Sequence, residues 1–131
     1  MPFSRRGFIA SAVGATSLLV GEPGARAQTP MAGPGEPEYA KATERGYNSR
    51  FVARPERVYL PVDAEEVRAA VAAAVRAGLR PAARSGGHCF DDFVDSADTR
   101  ALIDLGRMTG VEWDERHRAF SVGAGTELRG L

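Results

Sequence analysis

The stretch "DAEEVRAAVAAAVRAGL", residues 63–79, does most to limit what this chain can become. Asp63 stands where a helix cap belongs, and Glu65 and Glu66 follow in the first turn, where the helix dipole favours negative charge. Val67, Ala70, Val71, Ala74 and Val75 recur at helical spacing, so one stripe is apolar and faces inward. Gly78 ends the element. The alanines keep the stripe thin, which suits a helix lying close on a sheet. β-type runs flank it. "RVYLPV" precedes it and is closed by Pro61, and "LRPAARSG" follows and empties into a pair of glycines.

Further strands are expected in "RALIDLGRM", with Leu102, Ile103 and Leu105 apolar, and in a hairpin over "GVEWDERHRAFSVGAG" that turns at "DERH". Upstream, residues 40–44 suit a short helix ended by Gly46, and Tyr39, Tyr47 and Phe51 are expected to anchor that segment to a core. Thr126 is expected to cap a further helix at the end of the chain, and the cut after Leu131 reads as the N-terminal piece of a longer protein. The fold class is α+β: a small sheet with packed helices, placed on one side.

The organisation ahead of this domain follows from two biased segments. "SRRGFIASAVGATSLLV" sets Arg5 and Arg6 before a weakly apolar run, and Ala25 and Ala27 are the small residues a signal peptidase accepts. Residues 1–27 therefore read as a twin-arginine-type signal peptide with cleavage after Ala27. The run is too short and too rich in Gly, Ser and Thr for a comfortable membrane span, which needs ~20 apolar residues, and an uncleaved N-terminal anchor is the competing reading. The destination is periplasmic or extracellular. Residues 28–37, "QTPMAGPGEP", read as a flexible linker, and residues 38–131 as the domain proper.

Charge excludes some partners. With 17 basic and 17 acidic residues the formal net charge is zero, so no basic surplus points to nucleic acid. The single cysteine, Cys89, excludes an internal disulfide framework. No ligand-spaced cluster accompanies His88, His117 and Cys89, so no metal site is expected. Asp91, Asp92, Asp95 and Asp98 read as a solvated loop.

Chemistry concentrates in "RPAARSGGHCF", residues 80–90. Side by side, Gly86 and Gly87 permit positive φ, and their bare amides can converge on an anion. Arg84 would add charge there, and the Ser85 hydroxyl a hydrogen bond. A plain tight turn fits the same residues, and His88 can be scaffold or reactive group. Neither a Walker A lysine nor the spaced-glycine dinucleotide fingerprint is present.

Taken together, "RGYNSRF", "RSGGH", "SGGHCFDDFV" and "VGAG" resemble the start of a PCMH-type FAD-binding domain, that of the vanillyl-alcohol-oxidase superfamily. Within it they are similar to the berberine-bridge-enzyme-like group and to bacterial oxidases of secondary metabolism. The resemblance covers about residues 45–131. It implies that Arg84, Ser85, Gly86, Gly87 and His88 bind FAD, with His88 bonded covalently to the flavin 8α-methyl carbon. It implies an oxidase, exported if residues 1–27 act as a signal peptide, that moves a hydride from a small CH–OH or similar substrate to FAD, with molecular oxygen as acceptor. The second, cysteinyl bond found in many relatives does not map to Cys89, and no catalytic base is assigned in this chain. The competing expectation is a non-catalytic truncated product or exported binding module on the same scaffold, without flavin.

Overall fold

The computed structural model describes residues 29–127. The expected signal peptide, residues 1–27, and the helix expected beyond Thr126 lie wholly or mostly outside the described residues.

Four strands form the main sheet: β1 (Met31–Ala32), β2 (Arg57–Tyr59), β3 (Pro81–Arg84) and β4 (Ala101–Asp104). Their spatial order is β1-β2-β4-β3. β4 runs parallel to both β2 and β3, and β1 pairs antiparallel with β2. The helix read from residues 63–79 is α2 (Ala64–Arg76), which carries the chain from β2 to β3. Its cap is as the sequence requires, because Asp63 Oδ1 accepts from the Glu66 amide at 2.8 Å. The inward stripe is narrower than expected. Ala70 and Ala74 are fully buried, but Val71 and Val75 are exposed, because only the alanine line reaches the sheet.

Residues 29–32 and 37 take part in ordered elements although they were expected as linker. Ala32 is buried in β1, opposite Val58, and the Thr29 hydroxyl donates to the Glu66 carbonyl at 3.1 Å. Pro and Gly sit around the pairing residues, in the turn that leads to α1 (Pro37–Thr43), where neither disrupts a ladder. α1 begins earlier than expected and ends before Gly46.

Helices cover both faces of the sheet, not one. Tyr59, Ala101 and Ile103 pack with Ala70, Ala74 and Leu79 on the α2 side. Val58, Leu60 and Leu102 pack with Ala42 and Tyr39 on the α1 side. Successive residues on a strand face opposite ways, and all four residues of β4 are buried, as suits a central parallel strand.

After β4 the chain makes one 3₁₀ turn, Leu105–Arg107, and then the expected hairpin of β5 (Val111–Asp114) and β6 (Ala119–Val122). Trp113 and Phe120 face each other across it, edge to face, with centroids 5.2 Å apart. Arg118 closes the turn with a φ of 50°.

Candidate functional site

The parallel strands β3 and β4 end together, and the register sets Arg84 opposite Asp104. Opposed residues on neighbouring strands face the same way, so guanidinium and carboxylate meet: Arg84 Nη2 donates to Asp104 Oδ2 at 3.1 Å. Arg84 Nη1 donates to Asp95 Oδ1 at 3.0 Å. All three residues are buried. Asp95 therefore departs from the solvated loop expected for residues 91–98. It turns inward because a buried guanidinium needs a second carboxylate, while Asp91, Asp92 and Asp98 stay exposed. Asp104 is held a second time, by Arg45 Nη1 at 3.0 Å, and its Oδ1 also accepts the Gly106 amide.

Directly beyond Arg84 the chain enters the glycine turn. Gly87 has a φ of +77°, a left-handed conformation that glycine takes without penalty. Its missing side chain makes room for the protein itself: a Cβ there would stand 2.4 Å from the Arg45 carbonyl oxygen. At Gly86 a Cβ would meet the His88 ring, 3.1 Å from Nδ1. The segment after α1 lies along the turn and takes up three of its carbonyls. Tyr47 N donates to Gly87 O at 2.8 Å, Asn48 Nδ2 to Phe90 O at 2.6 Å, and Arg45 Nη2 to Ser85 O at 3.2 Å. Among the described residues, nothing accepts a hydrogen bond from the amides of Gly86, Gly87 or His88.

The five expected site residues are thus contiguous but face different work. Both terminal nitrogens of Arg84 are engaged by carboxylates, and its Nε is buried with no hydrogen-bond partner. The Ser85 hydroxyl donates to the Ala124 carbonyl, so "VGAG" comes back onto the turn. Gly123 and Gly125 are required for that return, since a Cβ would stand 2.1 Å from Met108 O and 2.3 Å from Leu105 O respectively. His88 is exposed, with the Tyr47 ring edge-on at 6.4 Å. Tyr47 also meets Phe90 at 5.2 Å, so it sits over the turn and is not the core anchor expected of it. Cys89 is half-buried and its thiol donates to Asp91 O at 3.3 Å.

Behind Asp104 a cavity of about 230 Å³ opens between α1 and the 3₁₀ turn. Its cations are compensated: Lys41 and Arg107 both pair with Glu38, and Arg45 pairs with Asp104. The two cations hold the exposed Glu38 carboxyl below the usual carboxylate range, Lys41 having the larger effect.

The strand–helix–strand unit β2–α2–β3 thus ends in a glycine turn beside an exposed histidine. Residues 55–131 match the FAD binding domain family, and the chain belongs to it. It is 40% identical, over 96% of its length, to aclacinomycin-N/aclacinomycin-A oxidase of Streptomyces galilaeus. Among solved structures it is similar to aclacinomycin oxidoreductase, with 42% identity, a TM-score of 0.73 and 78% of this chain covered. It is also similar to the glycopeptide hexose oxidase DBV29 solved with teicoplanin, with 40% identity, a TM-score of 0.69 and 73% covered. The chain spans 27% of the first protein and 20% and 19% of the two structures. The expected PCMH-type, α+β assignment holds.

The residues present fit FAD. The amides of Gly86, Gly87 and His88 have no acceptor among the described residues, and Gly86 and His88 are exposed, so an anion can meet the turn there. The sequence did not single out Asp95, Asp104, Arg45 or Asn48. An acid directly after the three apolar residues of "ALID" was the one local sign of a buried partner for Arg84.

Proposed function

We propose that this chain forms the N-terminal part of the FAD-binding domain of an exported flavin-dependent oxidase. The amides of Gly86, Gly87 and His88 receive the cofactor's pyrophosphate, and His88 is the covalent tether of the isoalloxazine. When bound, FAD supplies a hydride acceptor that oxygen reoxidises. The substrate is a small molecule with an oxidisable CH–OH or similar group. Two relatives, an aclacinomycin oxidase and a glycopeptide hexose oxidase, support that class. Arg84 and Ser85 serve the cofactor from behind: the first fixes the end of β3 and the second ties the turn to Ala124.

One observation carries this reading. The turn leaves the amides of Gly86, Gly87 and His88 without an acceptor among the described residues, while donors from residues 45–48 hold the carbonyls of Ser85, Gly87 and Phe90, a polarity that suits an anionic cofactor. In a fully exposed turn either group would be left to water.

The same proposal includes export by the twin-arginine route with cleavage after Ala27. No described helix is long and apolar enough to cross a membrane. The test of the whole reading is the absorbance spectrum of the full-length gene product before and after denaturation and precipitation. A flavin spectrum that stays with the precipitate supports the tethered cofactor. A colourless native protein supports the non-catalytic alternative.

A further inference from the structure

Three hydrogen bonds join residues 45–48 to residues 85–90, and each ends on a carbonyl of the loop. The amide of Asn48 is itself oriented, because Arg50 N donates to Asn48 Oδ1 at 3.1 Å. That fixes Nδ2 as the group facing Phe90 O, 2.6 Å away. Tyr47 N holds the carbonyl just before His88, and Asn48 Nδ2 holds one two residues after it. The Tyr47 ring stands edge-on to both His88 and Phe90. His88 is thus gripped on both sides while its own side chain stays exposed.

We infer that residues 45–48 are a template that sets the 85–90 loop before the cofactor arrives, with Asn48 the residue that positions His88. Asn48 acts through the Phe90 carbonyl and is a positioning residue. The inference rests on the reading of His88 as the tether. A loop already held in its receiving shape loses less conformational freedom when the ligand binds. Small misplacements of a reacting atom are costly in rate. In tether formation one proton leaves the 8α-methyl carbon and one leaves the imidazole nitrogen as the C–N bond forms. The two electrons released pass through the flavin to dioxygen, which takes up two protons and becomes hydrogen peroxide.

The test is Asn48→Asp in the full-length protein. It keeps the acceptor used by Arg50 N but replaces the donor to Phe90 O by a second, negative oxygen. The quantity read is the fraction of tryptic peptide 85–100 that carries flavin, divided by total flavin bound by the folded protein at saturating FAD. A general loss of fold lowers bound flavin and tether together and leaves this ratio unchanged. The ratio is expected to fall at least threefold in Asn48→Asp and to stay at the wild-type value in Ser49→Ala. A smaller fall in Asn48→Asp overturns the template. If that variant yields no soluble protein, Arg45→Met is read by the same ratio and threshold, since Asp104 keeps Arg84. An unmodified peptide in flavin-loaded wild type is a different result: it removes the tether itself.

Discussion

Arg84 and Asp104 stand side by side at the ends of β3 and β4, joined at 3.1 Å and both nearly inaccessible to water. Sheet register brings them together, and Asp95 and Arg45 extend the pair into a four-residue chain of charge. A buried charge is tolerated only when it is paired. Arg84→Met should therefore cost about 3–5 kcal/mol by stranding Asp95. Arg84→Met/Asp95→Leu should recover part of that loss, because Asp104 still has Arg45. Denaturant titration of the full-length variants checks both, and equal losses in single and double variant would contradict the network.

Gly87 should be among the least replaceable residues of the turn. Gly87→Ala carries a left-handed backbone cost of about 1–2 kcal/mol and adds a contact at 2.4 Å with the Arg45 carbonyl, a backbone atom that cannot swing aside. Gly87→Val should be worse, since β-branching disfavours that φ further. The expected result is loss of stability along with flavin content, read by thermal unfolding. A Gly87→Val protein with wild-type stability and no flavin would mean that the space serves only the cofactor.

Ser85 separates two roles. As a tie to the Ala124 carbonyl, its loss in Ser85→Ala should cost about 0.5–1.5 kcal/mol, with FAD affinity changed only slightly. Gly123→Ala should do far more damage, because its Cβ would strike the Met108 carbonyl at 2.1 Å. Unfolding midpoints and flavin titration of both variants give the comparison. A tenfold loss of FAD affinity in Ser85→Ala without loss of stability would return the hydroxyl to the phosphate.

The hairpin turn carries a pH signature. Asp114 accepts from the His117 amide, and His117 Nδ1 lies 2.7 Å from its Oδ2. These bonds, the side-chain one first, hold the Asp114 carboxyl below its ordinary value. A depressed native pKa means that the unfolded chain binds more protons across the interval between the two values. The contribution is therefore complete above the ordinary carboxylate pKa, and it is lost as pH falls through the lower native value. Asp114→Asn should lower the unfolding midpoint slightly near neutral pH and leave it unchanged in strong acid. A difference that grows in acid would contradict this.

Much of this architecture is legible in the sequence because local rules govern it. The cap at Asp63, the end of α2 and the hairpin at residues 111–122 depend on neighbours in the chain. What local rules miss is pairing at a distance. Nothing near Asp95 marks it as Arg84's partner among four similar acids, and nothing near Met31 shows that β2 offers an open edge to it. The site divides in the same way. Adjacent glycines mark the turn, but the reason Gly87 is bare lies 42 residues upstream, at Arg45.

The central claim is that the glycine turn presents His88 to a flavin. Mass spectrometry of tryptic peptide 85–100 from the flavin-loaded full-length protein tests it directly. The account predicts a peptide heavier by one flavin cofactor, with the added mass located on His88 and absent in His88→Ala. A peptide of unmodified mass from protein that is saturated with flavin would contradict it and leave the turn with phosphate binding alone.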